Sequence, residues 1–234
     1  MSSSWAASAL SWWQEAGVDS FVAETPRDWL NPGKAAAADA AAPVAPAAPA
    51  PPTTLEAFQA WLMTSEEPPF PPSSTGRISP AGNPGGGLMV LVDMPSAEDI
   101  AAGKLFSGAV GELFDRLMAA IERGRDSLYL ASLAPFRTVA GSLDGTASAA
   151  LAEIARHHVG LARPKALLLF GDICCKAMLG DGVFASRGRW HELTTPAGPV
   201  RTLATIRPEN LLKQPGQKKH AWEDLKMLRE GLES

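Results

Sequence analysis

The chain has 234 residues, 46% of them hydrophobic, and a formal net charge of −4. This length suits one domain of ordinary size once linker and tail residues are set aside. The negative charge argues against strong DNA binding by the whole molecule, because binding without sequence preference depends on Lys and Arg that neutralise phosphates. We therefore expect weak or indirect DNA binding, with a local basic cluster at Lys213, Lys218, Lys219 and His220.

Membrane and export signals are missing from the sequence. No apolar stretch reaches the length of a membrane span, and the N-terminus lacks the basic start and apolar run of a signal peptide. The sequence therefore predicts a cytoplasmic protein with no membrane contact.

The first 32 residues are predicted to be a partner-binding peptide. Residues 4 to 16, SWAASALSWWQEA, favour a short helix, and Gly17 then ends it. The segment is too short to fold alone, yet it is rich in Trp, a residue enriched at binding hot spots. We expect the contacts to come from Trp12, Trp13, Gly17, Val18, Phe21, Pro26 and Trp29.

Residues 33 to 53 are mostly Ala and Pro and have no apolar periodicity. That composition is typical of a disordered, partly extended linker. A peptide held at the end of such a linker is not expected to belong to the core of the following domain.

Residues 54 to 234 have the pattern of a globular α/β domain. Predicted strands at 88–94, 128–133, 166–170 and 201–206 alternate with predicted helices at 54–64, 108–122, 146–162, 171–179 and 217–232. Such alternation predicts a three-layer α/β/α fold with a four-stranded, mainly parallel sheet. Ligands of such sheets bind at the carboxyl ends of the strands, here the loops 93–107, 132–142, 171–173 and 206–213.

The two cysteines, Cys174 and Cys175, are adjacent. Two neighbouring cysteines do not form a disulfide framework, and they are too few for a structural zinc site or an iron–sulfur cluster. We expect them to be small buried side chains on a helix.

Six segments of the α/β domain resemble the bacterial family-4 uracil-DNA glycosylases, in order, from about Leu88 to Leu228. They read LMVLVDMPSAED, GKLFSGAVGELFDRLMAAI, LYLASLAPFR, ARPKALLLFGDICCKAML, RGRW and LATIRPENLLKQPGQKKHAWEDLK. The resemblance implies a uracil-DNA glycosylase fold in a bacterial protein.

The same resemblance implies a vestigial pocket with no confident catalytic residue. The family motif Gly-Glu-Ala-Pro-Gly reads here as residues 92–96, in which Asp93 keeps a carboxylate. Phe106 matches the aromatic residue that stacks on uracil. Ser132 stands where the family has an Asn that reads the uracil edge, and Arg207 stands where it has a His that stabilises the departing base.

Each of these four residues also has an ordinary structural interpretation. Phe106 is as well explained by the core as by stacking, and Asp93 by a hydrogen bond in a local turn beside Pro95. Ser132 would then be a strand-end residue and Arg207 a bracing cation.

The family also binds a four-iron, four-sulfur cluster through four cysteines. By the resemblance, two of them should lie in the segment MTSEEPPFPP after the first helix, and another near Leu151. None of these positions is Cys, so we expect no cluster and no other metal or cofactor.

A second resemblance concerns the N-terminal peptide. The run WWQEAGVDSFVAETP, Trp12 to Pro26, is similar to the start of the psi accessory subunit of bacterial DNA polymerase III. In psi, this peptide holds the clamp-loader collar, and the body, a degenerate glycosylase-like fold, binds the chi subunit. The resemblance implies the collar as partner of the peptide and a chi-like subunit as a candidate partner of the α/β domain.

Two hypotheses follow. In the first, the chain is a non-catalytic, psi-like adaptor of the DNA replication and repair machinery. In the second, it is a divergent glycosylase that uses Asp93 and Arg207 to excise uracil or another damaged base. Ser132, Arg207 and the missing cluster cysteines favour the first.

Overall fold

The computed structural model describes residues 51–71 and 76–233. The chain divides into two units, Met1–Ala47 and Ala48–Ser234, and every described residue belongs to the second unit. The partner-binding peptide predicted at residues 1–32 and the linker up to residue 50 lie outside the described residues. Pro52, at the end of the predicted linker, contacts the α/β unit, because its carbonyl accepts a 2.8 Å hydrogen bond from His157 Nε2.

A single six-stranded sheet forms the centre of the described unit. Its strands are β1 (Ala81–Gly82), β2 (Leu88–Val92), β3 (Leu128–Ser132), β4 (Ala166–Phe170), β5 (Trp190–Thr195) and β6 (Gly198–Thr205), in the order β1-β3-β2-β4-β6-β5. Strands β3, β2, β4 and β6 are parallel neighbours, which confirms the predicted four-stranded parallel core. Strands β1 and β5 add one antiparallel strand at each edge.

Helices cover both faces of the sheet and confirm the three-layer arrangement. They are α1 (Leu55–Thr64), α2 (Ala97–Ala102), α3 (Gly108–Ala119), α4 (Gly145–Ala162), α5 (Asp172–Leu179), α6 (Val183–Ser186), α7 (Pro208–Lys213) and α8 (Lys218–Glu233). The five predicted helices are present, although α3 ends at Ala119 rather than near residue 122. The short helices α2, α6 and α7 were not predicted, because none is long enough to show an apolar period.

The core has one layer on each side of the sheet. Along β2, Met89 and Leu91 face a cluster that includes Phe58 of α1 and Leu151 of α4. The alternate β2 residues face a second cluster, built with α3 and α8, whose members include Leu88, Val90, Phe114, Met118, Leu225 and Leu228. Both faces of the parallel strands are therefore buried, which explains their continuous apolar sequences. Cys174 and Cys175 are buried free thiols on α5, as expected.

The end of α6 and helix α8 are joined by a buried ion pair, to which β6 adds a hydrogen bond. Arg187, the first residue of the RGRW segment, donates to both carboxylate oxygens of Asp224 at 3.1 and 3.0 Å. The hydroxyl of Thr205 donates to the same carboxylate at 2.8 Å. Asp224 is fully buried, so these bonds compensate the desolvation of its charge. Arg187 therefore has a structural role.

Among the described residues, no helix combines the length and the apolar composition that a bilayer crossing requires.

A polar network lies within the first core layer. The hydroxyl of Tyr129 accepts a 2.7 Å hydrogen bond from Gln59 Nε2 and donates at 2.8 Å to His158 Nε2. Burial, helped by the neighbouring His157, lowers the pKa of His158 from 6.5 to about 3. Burial likewise raises the pKa of Tyr129 to about 12, against the effect of Gln59. His158 is therefore a neutral acceptor in the folded protein.

His158 should make the stability of the fold depend on pH below neutrality. The unfolded chain protonates it near pH 6.5, whereas the folded chain keeps it neutral to about pH 3. The contribution of His158 to the free energy of unfolding is therefore complete above about pH 6.5. It falls as the pH drops, by up to about 1.4 kcal/mol per pH unit. In urea titrations between about pH 7 and pH 5, His158→Gln should reduce this slope. His220→Gln, on the surface of α8, should keep the wild-type slope, and equal slopes in both variants would contradict the assignment.

Candidate functional site

The carboxyl ends of the parallel strands meet at one edge of the sheet. Val92 at the end of β2 pairs with Ser132 and with Phe170, and Phe170 pairs in turn with Thr205. The residues that follow these four strands are therefore neighbours, as the sequence predicts for a ligand-binding edge. Of the four residues in the predicted pocket, Asp93 and Arg207 are in direct contact.

Asp93 is directed into the protein. It is 3% exposed, and its Oδ1 accepts a 2.7 Å hydrogen bond from the backbone N–H of Cys174 in the first turn of α5. Its Oδ2 accepts from Arg207 Nη1 at 3.2 Å. Burial raises the pKa of the Asp93 carboxyl, while the charge of Arg207 and the Cys174 N–H act in the opposite direction. The carboxylate thus binds a helix 81 residues away rather than a local turn.

Arg207 joins Asp93 to a second carboxylate. Its Nε and Nη2 donate to the two oxygens of Glu209 at 3.1 and 2.6 Å, while Nη1 donates to Asp93. Burial lowers the pKa of Arg207, but the carboxylates of Glu209 and Asp93 outweigh it, and the net shift is upward. Glu209 was missed in the sequence, although its position two residues after a cation and at the start of α7 was a usable signal.

Phe106 lies in the core. Its ring is 2% exposed and stacks on Phe114, with a centroid distance of 4.2 Å and an interplanar angle of 7°. Phe170 contacts it in a T-shaped arrangement at 5.9 Å. The Phe106 backbone has a φ of +54°, and its carbonyl accepts a 2.7 Å bond from Arg125 Nη2. In this arrangement the ring has no open face for a flipped base.

Ser132 ends β3 and is half-buried. The backbone continues the parallel pairing beyond it, because the N–H groups of Leu133 and Ala134 donate to the carbonyls of Val92 and Asp93. Neither Ser132 nor Phe106 makes a hydrogen bond to the pair of Asp93 and Arg207. The structure therefore places the four residues on one edge but connects only two of them.

Gly171, between β4 and α5, makes room for the Asp93 carboxylate. It has a φ of +114°, and a Cβ atom added there would lie 2.3 Å from Asp93 Oδ2. The sequence indicated the loop 171–173 but not this packing, which depends on a side chain from another strand.

Replacing Gly171 should disrupt the edge more than replacing another glycine of positive φ whose added Cβ would meet open space. Gly180 provides that control, since its φ is +87° and a Cβ added there would meet no atom of another element within 4 Å. Gly180→Ala should lower the free energy of unfolding only by the strain of an Ala at positive φ, about 1–2 kcal/mol. Gly171→Ala should lower the free energy of unfolding by at least about 3 kcal/mol, because Asp93 must also leave its hydrogen bonds to Cys174 and Arg207. Urea denaturation measures both, and equal losses would contradict this role of Gly171.

The regions where the resemblance places cluster cysteines contain buried apolar side chains. Leu151 is fully buried, and Phe70, in the segment after α1, is 5% exposed. Burial raises the pKa of Cys175 to about 12 and that of Cys174 well above its usual value, so neither is poised as a thiolate ligand. Among the described residues, no group of three or more His, Cys, Asp or Glu is arranged to hold a metal ion. The residues present do not fit an iron–sulfur cluster.

A family model described as the uracil DNA glycosylase superfamily matches residues 79–226, which is more than half of the chain. The chain belongs to the uracil DNA glycosylase superfamily. The match includes the whole parallel sheet and all four residues of the predicted pocket.

Proposed function

We propose that this chain is a uracil-DNA glycosylase-fold protein that does not excise uracil and that serves the DNA replication and repair machinery as an adaptor. The observation that carries the proposal is the buried ion pair of Asp93 and Arg207 at the carboxyl edge of the sheet. By the family resemblance, these are the two charged residues that an excision mechanism at this edge would use.

The charge at this edge opposes base excision. Breaking a glycosidic bond develops negative charge on the departing base, and catalysis requires donors or cations directed at it. All three nitrogens of the Arg207 guanidinium donate to Asp93 or Glu209. With both carboxylates ionised, the group of three side chains is net negative, so it disfavours a second anion.

Opening this edge for a base would carry a large energetic cost. Asp93 would have to leave both Arg207 and the N–H of Cys174 while it remains among buried residues. Breaking a buried pair by removing one partner costs about 3–5 kcal/mol, because a charge is left uncompensated. Phe106 would in addition have to leave its stacked position against Phe114.

The alternative is a divergent glycosylase in which Asp93 and Arg207 act on uracil or another damaged base. It is favoured by the position of the pair, which lies where this class of sheet binds ligands.

We expect no release of uracil from single-stranded or duplex DNA above the rate without protein. The assay uses the full chain beside an active glycosylase of the superfamily as positive control. Asp93→Asn, which keeps the side-chain shape, and Asp181→Asn, on the exposed surface, form the matched pair of variants. Uracil release by the wild type that is lost in Asp93→Asn but retained in Asp181→Asn would establish the glycosylase instead.

We further propose that the N-terminal peptide binds the clamp-loader collar and that the α/β domain offers a site to a chi-like subunit. The support is the psi-like run from Trp12 to Pro26, together with the aromatic residues around it. A peptide that folds on binding loses part of its interaction energy to ordering, so its affinity should depend on a few aromatic anchors.

An isolated peptide of residues 1–32 should therefore bind the collar in calorimetry. Trp12→Ala combined with Phe21→Ala should abolish binding, since each truncated anchor costs about 2 kcal/mol or more. The melting temperature of the full-length variant should be unchanged. In the full-length chain, Trp222→Ala, at a Trp 40% exposed on α8, is the matched control and should retain binding to the collar. A lower melting temperature of the double variant, with no binding by the peptide, would instead mean that the segment packs on its own chain.

A further inference from the structure

Arg77 binds one backbone carbonyl in the last turn of α1 and two in the segment that follows it. Its Nη1 donates to Leu62 O at 2.8 Å, and its Nη2 donates to Ser65 O at 2.6 Å and to Pro71 O at 2.7 Å. The carbonyls in the last turn of a helix lack partners within the helix, and a cation there is favourable. One side chain thus ends α1 and holds both ends of the segment 65–71.

The backbone of Arg77 is itself attached to the loop after β3. It forms an antiparallel bridge with Phe136, and the next residue, Ile78, donates its N–H to Pro135 O at 2.8 Å. Arg77 therefore connects the segment after α1 to the loop that leaves the carboxyl edge of the sheet.

Aromatic packing makes the same connection. The Arg77 guanidinium lies 5.2 Å from the centroid of the Phe70 ring. Phe70 in turn contacts Trp61 of α1 edge-on at 5.2 Å and Phe136 at 6.3 Å. Phe70 and Phe136 are both almost fully buried in the core layer that contains Leu151. We call Arg77 and Phe70, together with these contacts, the Arg77 clasp.

We infer that the Arg77 clasp is a metal-free attachment of the segment after α1, in the region where the resemblance places an iron–sulfur cluster. The inference rests on the misfit between this chain and the cluster, and not on the proposed adaptor function. The clasp joins α1, the segment 65–71 and the loop after β3 through three charge-assisted hydrogen bonds and a buried aromatic contact.

With the clasp, the packing of the loops at the carboxyl edge does not depend on iron. The loop after β3 begins with Leu133 and Ala134, whose N–H groups pair with the residues at the end of β2, including Asp93. A segment held by a cluster would loosen on oxidation or chelation of the iron. Here the same part of the edge is held by groups that neither lose a metal nor change charge, because a guanidinium remains protonated.

Proteolysis of the full chain tests the clasp directly. The peptide bond between Glu66 and Glu67 lies within the clasped segment, so its cleavage by a Glu-specific protease reports the local opening of that segment. Arg77→Met should increase cleavage at this site at least about tenfold, because local opening then requires fewer broken bonds. Arg77→Lys should behave like Arg77→Met, since a single ammonium cannot reproduce the planar fork. Arg137→Met is the control, because Arg137 is exposed and, among the described residues, makes one 3.5 Å bond, to Pro95 O.

Phe70→Leu keeps an apolar side chain in the core and removes the ring beneath the guanidinium. It should also accelerate cleavage, and it tests the clasp if Arg77→Met does not fold. Unchanged cleavage in Arg77→Met, or in Phe70→Leu where Arg77→Met does not fold, would overturn the inference.

Iron analysis provides the second test. The full chain, purified without oxygen from iron-supplied cells, should contain no stoichiometric iron and show no visible cluster absorption. Its melting temperature should not change on treatment with dithionite and a chelator. Stoichiometric iron, or a chelator-induced fall in the melting temperature, would overturn the inference, and neither result depends on whether uracil is released.

Discussion

The buried carboxylate of Asp93 is the constraint on which the carboxyl edge of the sheet depends. It joins the end of β2 to the first turn of α5 through the Cys174 N–H and to the start of α7 through Arg207. The carboxylate occupies the space that a side chain at Gly171 would fill, so this position favours glycine. A carboxylate that is only 3% exposed is stable when it is paired and hydrogen-bonded. The Asp93 charge therefore depends on both Arg207 and the Cys174 N–H.

The two parts of this edge are organised by different physical means. Around Asp93, charged side chains compensate one another, and every nitrogen of the Arg207 guanidinium already donates to a carboxylate. After α1, aromatic rings fill the core and Arg77 satisfies the helix-end carbonyls. The first arrangement binds the charged groups that catalysis would require, and the second holds, without metal, the region where the resemblance places a cluster. This is the physical basis for proposing that the fold serves as a scaffold for a partner rather than as an enzyme.

Much of the architecture was predictable because it depends on local pattern. The continuous apolar runs of β2 and β4 predicted strands buried on both faces, and the apolar face of α3 predicted a covering helix. The edge strand β5 was missed, because only Leu193 and Thr195 of Trp190–Thr195 are buried and the segment shows no apolar alternation. The role of Arg77 was missed as well, since its partners are backbone carbonyls, which any residue provides.

The sequence by itself determined the order of the four parallel strands and the five longer helices, the family resemblance and the absence of Cys where that resemblance places cluster ligands, since these depend on residue types in a linear order. The tertiary structure decided how the remaining site residues are used. Asp93 and Arg207 are 114 residues apart, and only the parallel register of β2, β4 and β6 brings them within 3.2 Å. The orientation of Phe106 was equally a matter of packing, because the same aromatic residue could face a ligand or, as here, stack on Phe114. Side-chain direction follows from neighbours that are distant in sequence, and no local pattern contains that information.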